Sequence, residues 1–193
     1  PYDPIKDFSA VSMVGYVPIV IAIDPKLDIK SIPELIAFGK ANPGKLAFGS
    51  SGIGGTGHLA GESFAAATQL DITHIPYKGD APAVTDVAGG QVPLAFVGAA
   101  SAAPLLASGK INILAVAHPI RVGSMPNIPT LTELGYKDID FSQWYALFVR
   151  SGTPKDRIEK LNQAAKIVLN KEDVKKNMVV QGAEASYSTP EQL

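Results

Sequence analysis

Residues 46–62 read Leu-Ala-Phe-Gly-Ser-Ser-Gly-Ile-Gly-Gly-Thr-Gly-His-Leu-Ala-Gly-Glu. A short β-like run opens into Gly49, Gly52, Gly54, Gly55 and Gly57, interleaved with the hydroxyls of Ser50, Ser51 and Thr56. A helix pattern follows. Glycines there let backbone N–H groups point into a concavity with no side chains in the way. The start of the helix adds unpaired donors and a partial positive charge. Such an arrangement binds an anion, either a nucleotide phosphate or a small carboxylate.

Other chemistries fit less well. Ser50-Ser51-Gly52-Ile53-Gly54 has the look of a short-chain dehydrogenase fingerprint, which requires a downstream Tyr-x-x-x-Lys pair. That spacing occurs only at Tyr2 and Lys6, upstream of the loop. Gly39, Gly44 and Lys45 have P-loop spacing, but Leu46 replaces the hydroxyl residue and a strand follows where a helix is needed. No Gly-x-Ser-x-Gly elbow is present. With no cysteine, thiolate catalysis, disulfides and thiolate metal sites are excluded. His58, His74 and His118 lack metal-ligand spacing, and no carboxylate pair can be assigned to acid–base work. Neither a cofactor nor a metal is expected.

His58 sits in the first turn of the glycine-loop helix, with three roles open to it: orienting the loop, touching a ligand, or lying on the surface. His74 reads as a structural histidine in a strand. Tyr77-Lys78-Gly79-Asp80 reads as a strand-to-helix turn with Asp80 as N-cap, or as a second set of amides, with the Tyr77 ring, facing the glycine loop. Trp144, the only tryptophan, lies in a long strand near an expected domain crossing.

Across 193 residues the net charge is −1, which leaves no electrostatic footprint for nucleic acid. The longest apolar run, 17–23, is far short of the roughly 20 residues of a membrane span and reads as a buried strand. Ser31-Ile32-Pro33-Glu34 forms a capping box for a helix reaching residue 41. Strands are expected at 46–49, 72–76, 92–97, 111–117 and 141–149. Helices are expected at 56–69, 81–87, 101–107, 155–169 and 172–181, with a short one capped by Thr130 and ending at Gly135. This alternation predicts an α/β fold with mostly parallel sheets, ligands lying beyond the strands' carboxyl ends. Both ends read as interior positions of a longer protein, so the lack of a signal peptide carries no weight.

Several strings in order carry a family resemblance: Pro1-Tyr2-Asp3-Pro4-x-Lys6-Asp7-Phe8, then 50–62, then His74-x-Pro76-Tyr77-Lys78-Gly79-x-Ala81-Pro82-Ala83. Gly89-Gly90-Gln91-Val92, Pro126-x-Ile128-Pro129-Thr130 and Gly152-Thr153-Pro154 follow. The chain resembles the substrate-binding receptors of tripartite tricarboxylate transporters, the Bug family, over essentially its whole length. The resemblance implies a periplasmic-binding-protein-like fold of two lobes with a cleft between them. It also implies a periplasmic, monomeric, non-enzymatic receptor that closes around a small carboxylate and delivers it to membrane permease subunits. Residues 22–143 would form the second lobe, and 1–21 with 144–193 part of the first.

Carried over by residue, Ser51, Gly52, Ile53, Gly54, Gly55, Thr56 and Gly57 would supply amides and a hydroxyl to the carboxylate. Lys78, Gly79, Asp80 and Ala81 would form the opposing wall, and Val97 and Gly98 the cleft floor. Many family members carry Asn in place of Ile53 and Asp in place of Val97. Those departures imply a ligand anionic at one end and apolar in the body. Two other classes remain at this stage, a nucleotide-dependent oxidoreductase and a sensor subunit sharing the same pocket.

Overall fold

The computed structural model describes residues 1–193. In chain order the elements are β1 (Phe8–Ile23), α1 (Ile32–Ala41), β2 (Leu46–Ser50), α2 (Thr56–Thr68), β3 (Ile72–Pro76), α3 (Asp80–Ala88) and β4 (Leu94–Gly98). They continue with α4 (Ala99–Ala107), β5 (Asn112–Ala117), β6 (Ser142–Arg150), α5 (Lys155–Leu169), α6 (Glu172–Val180) and the short β7 (Glu184–Ala185). The chain forms two compact units, Val17–Gln143 and Pro1–Tyr16 with Trp144–Leu193. The first boundary thus lies earlier in the chain than the expected division between residues 21 and 22.

In the Val17–Gln143 unit the strand order is β3-β2-β4-β1-β5. β2 pairs parallel with β3 and β4, whereas β1 pairs antiparallel with both β4 and β5. Four strands therefore share one direction, with a single opposed strand inserted between β4 and β5. A doubly wound dinucleotide fold has no such inserted strand.

The reversed strand is tolerated because its segment is apolar on both faces. Ile19, Ile21 and Ile23 face the larger core with Phe48, Phe64, Leu94 and Phe96. Val20 lies beside Val97 and Val116 on the other face, and all three are fully buried. Each large side chain so buried contributes about 1.5–3 kcal/mol. Gly61 lets α2 settle on the sheet, because an added Cβ would overlap the Phe48 ring.

α1 begins as the sequence predicts: Ser31 Oγ accepts from the Glu34 amide, and Glu34 reaches back to the Lys30 amide at 2.8 Å. The helix expected after Thr130 does not form. Thr130 Oγ1 does accept from the Glu133 amide at 3.0 Å, and Glu133 accepts from the Thr130 amide. The segment nevertheless remains a turn, closed when the Tyr136 amide donates to the Leu131 carbonyl. Glu133 is also engaged by Arg121 Nε at 2.9 Å, and Gly135 takes a left-handed φ of 98°. A cap without a following apolar period does not propagate a helix.

In the other unit, the buried Asn162 of α5 donates to the carbonyls of Val11 and Ser188 and accepts from the Tyr187 hydroxyl. This fully satisfied amide ties α5 to the amino-terminal part of β1 and to the closing segment.

Candidate functional site

Three adjacent strands, β3, β2 and β4, each lead into a helix, β4 directly and the other two through short loops. α2 is capped by Gly55, α3 by Gly79 and α4 by Gly98, and none of the three has a side-chain cap. Three helix N-termini thus gather along one sheet edge, each presenting first-turn amides that no neighbouring side chain of its own cap occupies.

The glycine loop is held by a small network. Gly52 and Gly54 take φ of 134° and 76°, values that side-chain-bearing residues adopt only under strain. Ser50 is fully buried; its Oγ lies 2.7 Å from His74 Nε2 and accepts from the Gly52 amide at 3.3 Å. The Gly54 amide donates to His58 Nδ1 at 3.0 Å. The His58 and His74 rings stack with centroids 4.0 Å apart, and His58 Nε2 lies 3.7 Å from Glu62 Oε1. Burial, then the neighbouring His58, pushes the His74 pKa below its ordinary value. Of the three roles open to His58, the structure shows the loop-orienting one. Gly57 is required for close approach, since a Cβ there would run into the Phe96 carbonyl.

Asp80 is the first residue of α3 and not the expected N-cap, a position taken by Gly79. The chain enters α3 through Gly79 at φ 127°, and the Asp80 carboxylate turns towards α4. Asp80 Oδ2 accepts from the Gly98 amide and from Gln143 Nε2, each at 2.9 Å. The cap amide of α4 is therefore bonded to a carboxylate of the chain itself, whereas no side chain caps the α2 or α3 start.

Tyr77 also departs from expectation. Its hydroxyl donates to Asp86 Oδ2 at 2.8 Å, and its ring lies against Gly49, so the side chain packs on α3 and β2 rather than facing the loop. Burial first, then the bond to Asp86, pushes its pKa up to about 12. What Tyr77 gives the loop is its backbone, whose amide donates to the Ser50 carbonyl at 2.9 Å. Val97 is 0% exposed, within the sheet, so its side chain cannot floor a pocket. Ile53 projects from the loop at 80% exposure. Lys78 and Ala81 are exposed on the strand-to-helix turn, and Ser51, Gly55 and Thr56 are half-buried around the glycine loop.

Trp144 belongs to the Pro1–Tyr16 and Trp144–Leu193 unit, where it is 60% exposed. There it lines a recess of about 300 Å³ with Tyr2, Pro4, Phe8 and Phe148. Gln143, which helps hold the site, was not singled out from sequence; a lone amide in the apolar β6 was the available signal.

Fold and site together define an α/β protein of the periplasmic-binding-protein kind, and the dinucleotide reading finds no support. The model of the tripartite tricarboxylate transporter family receptor matches residues 1–193. The chain belongs to that family.

Protein BugT of Bordetella pertussis is 37% identical over 192 residues, covering 100% of this chain and 59% of its own length. The R. palustris protein Rpa4515, solved with adipate, is 32% identical with a TM-score of 0.89, covering 99% of this chain and 64% of that one. The periplasmic binding protein BugD is 32% identical with a TM-score of 0.83, covering 98% and 64%. The chain thus spans 59% of BugT's length.

Proposed function

We propose that this chain is part of a periplasmic, non-enzymatic solute receptor that holds one carboxylate of its solute at the glycine loop and the start of α2. The observation that carries the reading is the gathering of three glycine-capped helix starts on one sheet edge, with the glycine loop leading into α2 and the cap amide of α4 taken by Asp80. Backbone amides suit a receptor because they bind charge without titrating or reacting. The amides following Gly55, with the Thr56 hydroxyl, would replace part of the carboxylate's hydration shell. Ser51, Gly52, Gly54 and Gly57 shape the loop, and Lys78, Gly79 and Ala81 border it.

The Val17–Gln143 unit corresponds in this reading to the second lobe of a two-lobed receptor, and the other unit, with Trp144, to part of the first. Solute would be captured by lobe closure and passed to membrane permease subunits. Membership of the receptor family and the adipate held by Rpa4515 support this assignment.

The solute is anionic at one end and apolar in the body. Ile53, exposed on the loop, carries that specificity alone now that Val97 lies in the core. A solute amine would have no side-chain partner at Ile53, and a donor buried without a partner costs about 1–3 kcal/mol. Calorimetry on the full-length protein tests this. Adipate is expected to bind more tightly than aspartate or glutamate; tight binding of the amino acids with none of adipate would overturn it.

A further inference from the structure

His58 accepts the Gly54 amide on Nδ1, so that nitrogen carries no proton and the remaining one sits on Nε2, towards Glu62. A second proton would have to enter at Nδ1, where it would face the Gly54 N–H and break the bond. The stacked His74 ring is held at the other end of the same loop through Ser50, whose Oγ also accepts from the Gly52 amide. Both ends of the 52–54 segment are therefore tied to imidazoles in contact with each other.

We propose that His58 and His74 form a proton-sensitive latch on the glycine loop, fastened while both rings are neutral and released when His58 takes a proton, so that the solute site loosens as pH falls. The groups bearing on the pair are few. On α2, Glu62 Oε1 lies 3.7 Å from His58 Nε2. From β3 comes His74, and each ring opposes a charge on the other across the 4.0 Å stack. β2 contributes the Ser50 hydroxyl and the Phe48 ring, 4.9 Å from His74, both uncharged. A charge on His58 opposes one on His74. Histidine is the side chain whose ordinary titration falls in the range where such a change matters, about pH 5 to 8.

The effect on affinity rests on the loop being the solute site; the latch itself can be read without solute. In the full-length protein labelled with ¹⁵N-glycine, hydrogen exchange at the Gly54 amide is followed from about pH 8 to 5 alongside the His58 ring signals. Exchange, corrected for its intrinsic pH dependence, is expected to speed up about two- to tenfold in step with His58 protonation, the loss of one net hydrogen bond. In His58→Asn, whose side-chain oxygen can take the Nδ1 position but cannot be protonated, the profile is expected to be flat. Gly54 protection that stays constant while His58 titrates overturns the latch. A His58→Asn profile that matches the unsubstituted protein does the same. Calorimetry with adipate over the same range separates the two ideas: absence of binding at every pH overturns the solute reading, while the exchange data alone decide the latch.

Discussion

Asp80 Oδ2 accepts a hydrogen bond from the Gly98 amide at 2.9 Å, so the chain's own carboxylate takes the cap amide of α4. Gln143 donates to the same oxygen from the first residues of β6. One side chain thus joins α3, the α4 cap and β6.

Replacing it has two expected consequences. Asp80→Ala leaves the Gly98 amide and the Gln143 side chain without their acceptor, a loss of about 1–3 kcal/mol in stability by denaturant unfolding. It also removes a negative charge from an edge that attracts anions, so adipate affinity in calorimetry is expected to rise. Unchanged stability would show that the Asp80 bonds are incidental.

Tyr77 gives an alkaline signature. Its folded-state pKa, about 12, lies above the ordinary value of 10.0, so the folded chain holds the phenolic proton more tightly than the unfolded chain. The resulting stability is complete below pH 10.0 and is lost as pH rises from there towards 12. Absorbance titration of tyrosinate is expected to show a late component that disappears in Tyr77→Phe.

His74 acts in the opposite range. Its pKa is pushed below the ordinary 6.5, so the unfolded chain binds this proton more readily than the folded one. This contribution to stability is whole well above pH 6.5 and declines as pH falls through that value towards the lowered folded pKa. Unfolding midpoints measured across that window are expected to fall with acid, and the fall is expected to be smaller in His74→Gln.

Gly61 tests the seating of α2. A methyl at this position overlaps the Phe48 ring, so Gly61→Ala is expected to cost about 1–3 kcal/mol by overpacking, despite alanine's better helix propensity. A neutral or stabilising result would show that α2 can lift from β2 freely.

Much of this was legible in the residues, for reasons that differ by element. α5 starts after Thr153-Pro154 and carries a clear amphipathic period, so its limits Lys155–Leu169 agree with expectation to the residue. β3 at Ile72–Pro76 is equally well marked. The direction of β1 was not legible, because a run of buried aliphatics has the same pattern whichever way it pairs. Around the site, the glycine loop declared itself by composition, but side-chain direction did not. Tyr77 turns onto Asp86, Val97 turns into the sheet, and Asp80 reaches Gly98, all set by contacts distant in sequence. Ser50 and His74, 24 positions apart, meet only because β2 and β3 pair in register with Ser50 opposite Pro76.

The most direct test is a crystal structure of the full-length protein grown with adipate. One carboxylate is expected at the glycine loop, its oxygens about 2.7–3.2 Å from the amides of Thr56 and Gly57. Adipate bound elsewhere, with those amides facing only water, would contradict the assignment of this loop as the anion site.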